Sequence, residues 1–162
     1  MKKLLLIRHA EAEGYADKGD FARSLSAKGK TDAAHLAQKL QSQNLIPHLV
    51  ISSPALRTIT TALTITEQLG LSTPQTNPSV YEASERTLLK TINHFTNSVD
   101  FIAMVGHNPG ISYLLLNLTG KVRDVPPCTA IIVVFEDADS WQEISHESGV
   151  ITYYTTPPYT NW

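Results

Sequence analysis

The residues best suited to chemistry in this chain are Arg8 and His9, which stand directly after the aliphatic run Leu4-Leu5-Leu6-Ile7. Four aliphatics make a short buried strand and are too few to span a bilayer. A guanidinium and an imidazole have no place in an apolar core unless they are paired. At a strand end, where the alternation of side chains lapses, both can face one point. An arginine grips a phosphoryl group with a bidentate fork, and a neutral histidine beside it is able to attack phosphorus. The pattern recurs along the chain. Leu49-Val50-Ile51 runs into Ser52-Ser53-Pro54, with Arg57 one turn further on, and Phe101-Ile102-Ala103-Met104-Val105 runs into Gly106-His107-Asn108-Pro109-Gly110. Glu82 follows a short extended piece around Val80-Tyr81.

These residues need a frame that gathers strand ends. Ser26 reads as the N-cap of a helix carrying Ala33, Leu36, Ala37 and Leu40 on one face. Ser53-Pro54 reads as N-cap plus first helical position of a helix reaching about Leu69 and closed by Gly70. Leu88, Leu89, Ile92 and Phe95 mark another helix; Ile111, Leu114, Leu115 and Leu118 mark one opened by Asn108-Pro109 and ended by Gly120. Ala130 to Phe135 is a β-branched strand, and Trp141 to Ile144 with Val150 to Tyr154 suggests a terminal hairpin or a bent edge strand. Strands that alternate with helices and then give way to strand predict a three-layer α/β/α sandwich, with a mostly parallel sheet and an antiparallel edge. In such a sheet the carboxyl ends of the strands share one rim, and ligands bind there. Arg8, His9, Arg57, Glu82 and His107 therefore fall on one edge, beside two helix N-termini that add N–H groups and positive dipole ends. The set suits a dianion, most simply a phosphoryl group.

The bulk properties bound the reading. A chain of 162 residues suits one domain, 1–162, and shows no repeat or linker. The net charge is −2 and the longest basic block is Lys2-Lys3, which argues against nucleic acid as a partner. The single cysteine, Cys128, reads as a buried structural thiol and fits a reducing compartment. Met1-Lys2-Lys3 and the aliphatics after it imitate a signal peptide, but the run is short and Arg8-His9 interrupts it. A cytoplasmic protein without a membrane partner is expected. His35, His48, His94 and His146 match no motif and read as surface or packing residues, and Trp141, Tyr153 and Tyr154 as sheet and core. Glu11, Glu13, Asp17 and Asp20 lack the spacing of a metal site and read as a solvated loop.

Taken together, the motifs resemble the histidine phosphatase superfamily, with its phosphoglycerate mutase-like fold, and within it the small SixA-type phosphohistidine phosphatases. Leu6-Ile7-Arg8-His9-Ala10 matches the Arg-His signature of that family. Arg23-Ser24-Leu25-Ser26-Ala27-Lys28-Gly29 resembles the small branch's Arg-Pro-Leu-Thr-x-x-Gly segment, with Ser24 where Pro is usual. Ser52-Ser53-Pro54-Ala55-Leu56-Arg57 with Thr61, Val80-Tyr81-Glu82-Ala83-Ser84 and Val105-Gly106-His107-Asn108-Pro109-Gly110 match further segments. The resemblance implies that His9 becomes a phosphohistidine, that Arg8, Arg57 and His107 hold the equatorial oxygens, and that water hydrolyses the phosphoenzyme. It implies no metal or other cofactor and no cap domain. Asn108 and Arg23 join the phosphate-binding set on the same ground, and Glu82 is the expected proton donor to the leaving group. The implied substrate is phosphohistidine on a protein. The alternatives are a phosphatase of small phosphorylated metabolites and a phosphate-binding regulatory module without catalysis.

Overall fold

The computed structural model describes residues 1–160. Its elements are β1 (Lys2–Arg8), α1 (Ala27–Ser42), β2 (Leu49–Ser52), α2 (Leu56–Leu69), β3 (Gln75–Thr76), α3 (Glu85–Ile92), β4 (Phe101–Gly106), α4 (Gly110–Thr119), β5 (Ala130–Phe135) and β6 (Val150–Thr155). They form a six-stranded sheet in the order β3-β2-β4-β1-β5-β6. The first four of these run parallel, and β5 is antiparallel to both β1 and β6. The aliphatic run of β1 is buried on both faces, as a central strand must be. Leu4 and Leu6 pack with α3, α4 and Trp141, while Leu5 and Ile7 pack with α1 and α2.

The helices start and stop for local reasons. The Ser26 hydroxyl accepts from the Gly29 backbone N–H at the head of α1, and the Ser84 hydroxyl accepts from Thr87 N–H at the head of α3. Gly70 and Gly120 end α2 and α4 in the left-handed conformation, with φ of 67° and 69°. Gly29 packs against the Glu11 carbonyl so closely that a Cβ would collide with it, which pins the loop after β1 to α1.

Three expectations need correction. The extended piece around Val80-Tyr81 is a 3-10 turn over Pro78–Val80, made by the Asn77 side chain accepting from Ser79 N–H at 2.9 Å; the short strand lies earlier, at β3. Trp141–Glu143 is also a 3-10 turn and not a strand, so of the two readings of this segment the edge strand holds, with an irregularity in its pairing at Ile132/Val133. The helix expected from Ser53-Pro54 begins at Leu56, with Ala55 at the cap, because the Ser53 hydroxyl bonds a histidine instead.

Register delivers the site. Arg8 pairs with Gly106 across β1 and β4, so His9 and His107 leave the sheet as neighbours, and His9 N–H donates to the Gly106 carbonyl at 3.0 Å. Ser52 pairs with Val105, and Ser53 N–H donates to the Val105 carbonyl at 3.1 Å. The chain runs outward through β2 and β3, then returns to insert β4 between β2 and β1. The resulting crevice at the carboxyl ends is where open α/β sheets bind ligands.

Candidate active site

His9, His107 and Arg57 are 8%, 8% and 4% exposed at the base of an open cavity of about 800 Å³. Arg8, Arg23, Asp20, Glu82 and Asn108 also line it. The structure thus brings together every residue the sequence singled out for this site.

His9 is held in one tautomer. Its Nδ1 lies 2.7 Å from the Ala10 carbonyl. A carbonyl only accepts, so Nδ1 carries the proton and Nε2 keeps its lone pair. The Ala10 peptide is itself anchored, its N–H donating to Thr61 Oγ1 at 3.0 Å, while Thr61 donates to the Arg57 carbonyl at 2.8 Å within α2. Burial lowers the His9 pKa to about 4, assisted by the charges of Arg57, Arg8 and Arg23 against the opposing Ala10 bond. The ring is neutral at pH 7 and presents a nucleophilic nitrogen.

His107 lies beside it, with ring centroids 5.3 Å apart. Arg57 Nη2 stands 3.3 Å from His107 Nδ1. A guanidinium only donates, so Nδ1 accepts and the protonated Nε2 donates to Ser53 Oγ at 2.8 Å. Burial lowers the His107 pKa to about 3, with His9 and Arg57 adding to the shift. The Ser53 hydroxyl therefore serves His107, with a longer contact of 3.3 Å from Ala55 N–H.

The loop after β1 supplies a residue that the sequence reading left in solvent. Asp20 accepts from Arg57 twice, at its carbonyl from Nη1 (2.8 Å) and at Oδ2 from Nη2 (3.1 Å). Arg23 Nε donates to its Oδ1 at 3.0 Å and the Tyr81 hydroxyl to its Oδ2 at 2.7 Å. The Tyr81 bond and then the two arginines hold the Asp20 pKa near 2, and the same carboxylate pushes Tyr81 up to about 12. Asp20 is thus a charged hub that stays half-exposed while it binds both arginines and Tyr81. Tyr81 also packs edge-on to His107, with centroids 5.5 Å apart.

The other candidates divide. Arg8 Nη1 donates to the Val125 carbonyl at 2.9 Å. The Nε atoms of Arg8 and Arg57 are buried and have no hydrogen-bond partner among the described residues. Arg23 is tied to Asp20 and, at 2.8 Å, to the Glu13 carbonyl. Asn108 lines the cavity but its carboxamide is committed, Nδ2 donating to the Val125 carbonyl and Oδ1 accepting from Ser112 N–H and Oγ. Its side chain caps α4 as the sequence suggested, although the helix starts one residue later than expected, at Gly110 with Pro109 in the N-cap position. Glu82 is exposed on the cavity wall with φ of 50°, held there because Gly110 packs directly against the Ala83 carbonyl, where a Cβ would clash. Ser84, not Glu82, caps α3. His35, His48, His94 and His146 are exposed, Cys128 is buried, and Trp141 is core. Among the described residues no three His, Cys, Asp or Glu side chains gather as a metal site.

A doubly wound sheet that delivers two neutral histidines and three arginines to one rim pocket defines an α/β protein built to handle a tetrahedral oxyanion. The chain belongs to branch 1 of the histidine phosphatase superfamily, whose family model matches residues 4–85. It is 29% identical to the Arabidopsis thaliana chloroplastic protein At3g52155 over 160 residues, covering 91% of this chain and 72% of that one. Among solved structures it resembles the protein histidine phosphatase SixA complexed with tungstate (TM-score 0.82, 21% identity, 96% and 97% of the two chains). The SixA protein of Agrobacterium tumefaciens scores 0.80 at 22% identity, covering 96% of this chain and 98% of that one. The phosphoserine phosphatase of Entamoeba histolytica, in complex with 3-phosphoglyceric acid, scores 0.70 at 17% identity over 98% and 99%. The fold is therefore phosphoglycerate mutase-like, with no cap domain among the described residues, and family membership supports phosphatase activity. No helix is long and apolar enough to cross a membrane among the described residues.

Proposed function

We propose that the protein removes a phosphoryl group from phosphohistidine on a partner protein, by way of a phosphohistidine on its own His9. The observation that carries this reading is the fixed tautomer of His9, a buried neutral imidazole with Nε2 unprotonated beside two arginines. Nε2 attacks phosphorus; the N–P bond to His9 forms as the bond to the departing group breaks, and the departing imidazole takes up a proton. Arg8 and Arg57 stabilise the equatorial oxygens, whose charge redistributes during transfer, and His107 joins them by turning its Nε2–H from the Ser53 hydroxyl to a phosphoryl oxygen. The guanidinium groups of Arg8 and Arg57 line the cavity, with more N–H donors than their bonds to the Val125 carbonyl and to Asp20 use. Water then attacks the phosphoenzyme, releasing phosphate and restoring neutral His9. Arg23 acts through Asp20, and Asn108 shapes the wall rather than binding phosphate through its carboxamide.

The protein substrate is supported by the open mouth of the cavity, whose roof no inserted domain covers among the described residues. The SixA structures it resembles point the same way. The second reading, a small phosphorylated metabolite, is favoured by its likeness to a phosphoserine phosphatase. A screen of the purified protein against phosphohistidine proteins and phosphorylated metabolites decides between them, with trapping of an acid-labile phosphoenzyme. Preferred turnover of phosphohistidine is expected. Turnover confined to metabolites would overturn the substrate assignment, and the absence of any phosphoenzyme would overturn the role of His9. A cytoplasmic location is part of the same proposal, although the Arabidopsis relative is chloroplastic.

A further inference from the structure

The cavity carries opposite charges on its floor and its wall. Arg8 and Arg57 lie low with the two histidines, while Glu11, Asp20, Glu82 and Glu85 line the same space. Asp20 is the best placed of the four acids. Its Oδ2 is 3.1 Å from Arg57 Nη2, and that nitrogen is 3.3 Å from His107 Nδ1, so the carboxylate stands one guanidinium away from the phosphoryl pocket. Its side chain lines the cavity and remains 45% exposed. Tyr81 and Arg23 hold it in place and ionised. A phosphoryl group attacked by His9 sends its departing group off on the side away from that ring, towards the open side of the cavity that Asp20 also lines.

We propose that Asp20 is a specificity-determining residue: its carboxylate puts negative charge on the leaving-group side of the phosphoryl pocket, so the site favours departing groups that are cationic or nitrogen bases over those that carry a carboxylate. This rests on the placement of the phosphoryl group at His9, and it deepens the substrate reading without depending on a protein partner. A departing imidazole has a second ring nitrogen whose N–H a carboxylate accepts. A phosphorylated hydroxy acid brings its own carboxylate into repulsion with Asp20. Unit charges about 6–8 Å apart in a half-exposed site change affinity by about three- to tenfold, and salt screens the effect.

The test uses two small ligands of matched length, phosphoethanolamine with its ammonium and phosphoglycolate with its carboxylate, and inorganic phosphate as the reference. Affinities are measured by calorimetry in His9→Ala protein, which lacks the nucleophile and leaves the ligands intact, and in the same protein carrying Asp20→Asn. The asparagine keeps the backbone carbonyl that Arg57 uses and an amide oxygen for Tyr81. The expected result is that Asp20→Asn shifts the ratio of the two affinities about three- to tenfold towards phosphoglycolate, and that the shift shrinks at high salt. An unchanged ratio overturns the proposal. So does an equal weakening of all three ligands, which would make Asp20 only a brace for Arg57. If inorganic phosphate fails to bind at all, the phosphoryl-site reading itself falls, and Asp20's role with it.

Discussion

Lowering the pH from about 6.5 to 5 should destabilise the ligand-free protein through its two site histidines, by an amount that the structure allows to be worked out. In the folded protein the pKa of His9 is near 4 and that of His107 near 3, whereas an unfolded histidine titrates near 6.5. The unfolded chain therefore binds protons in this range and the native state does not, so stability rises with pH and is lost as pH falls through 6.5. Integrating across that interval gives about 1.6 kcal/mol for each ring, or about 3 kcal/mol for both, since each stays neutral in the folded state down to pH 5. For a domain of this size that is a fall of roughly 6–12 °C in the unfolding midpoint. Asp20 does not confuse the window, because its contribution is kept above the ordinary carboxylate range and is lost only as pH falls from there towards its depressed pKa near 2. The assay is urea or thermal unfolding at the two pH values, on the wild type and on His107→Gln, which should retain about half of the pH dependence. A bound dianion such as phosphate or tungstate opposes both shifts, so saturating ligand should stabilise the protein more at the lower pH. Flat stability across the window would refute the assignment of both rings as buried and neutral, and an undiminished slope in His107→Gln would refute that of His107.

Replacing His9 by alanine should abolish turnover and the trapped phosphoenzyme while leaving a cooperative fold, since the ring sits at the sheet rim; substantial residual activity in purified protein would remove it as the nucleophile. Thr61→Val leaves the Ala10 N–H without its partner inside the protein, which should cost about 1–3 kcal/mol in unfolding free energy and lower kcat by loosening the carbonyl that orients His9; unchanged values of both would break that chain of support. Glu82→Gln should slow phosphoester cleavage by about 10²–10⁴ because an alkoxide needs a proton donor, but slow phosphohistidine cleavage far less. Equal large losses on both substrates would contradict the leaving-group argument, and no loss on either would take Glu82 out of the mechanism. Stability should barely move in that variant, because Ser84 caps α3.

The strand-end logic was legible because it depends on short-range pattern. Aliphatic runs that stop on Arg8-His9 and Gly106-His107 are buried strands whose last residues must leave the core, and parallel pairing in register then makes neighbours of His9 and His107. Asp20 was illegible for the opposite reason. Its partners Arg57 and Tyr81 lie 37 and 61 residues away, and no local spacing announces a loop acid that closes over them. The turn at Pro78 was readable in principle, since Asn77-Pro78 is a turn-forming pair. Ser53-Pro54 misled because its capping pattern is genuine but its hydroxyl is committed to His107, one of the places where function overrides a local rule.

The incomplete pairing of the arginines distinguishes this pocket from a structural ion cluster. Arg57 is bound by the carbonyl and carboxylate of Asp20, Arg23 by Asp20 and Glu13, and Arg8 by the Val125 carbonyl. Here the two Nε atoms left over belong to Arg8 and Arg57, the residues flanking His9 and His107. The same two cations also oppose protonation of both rings. Burial first, and these two cations with it, keep the His9 ring neutral, and the same guanidinium groups line the cavity beside that ring, where they suit an anion.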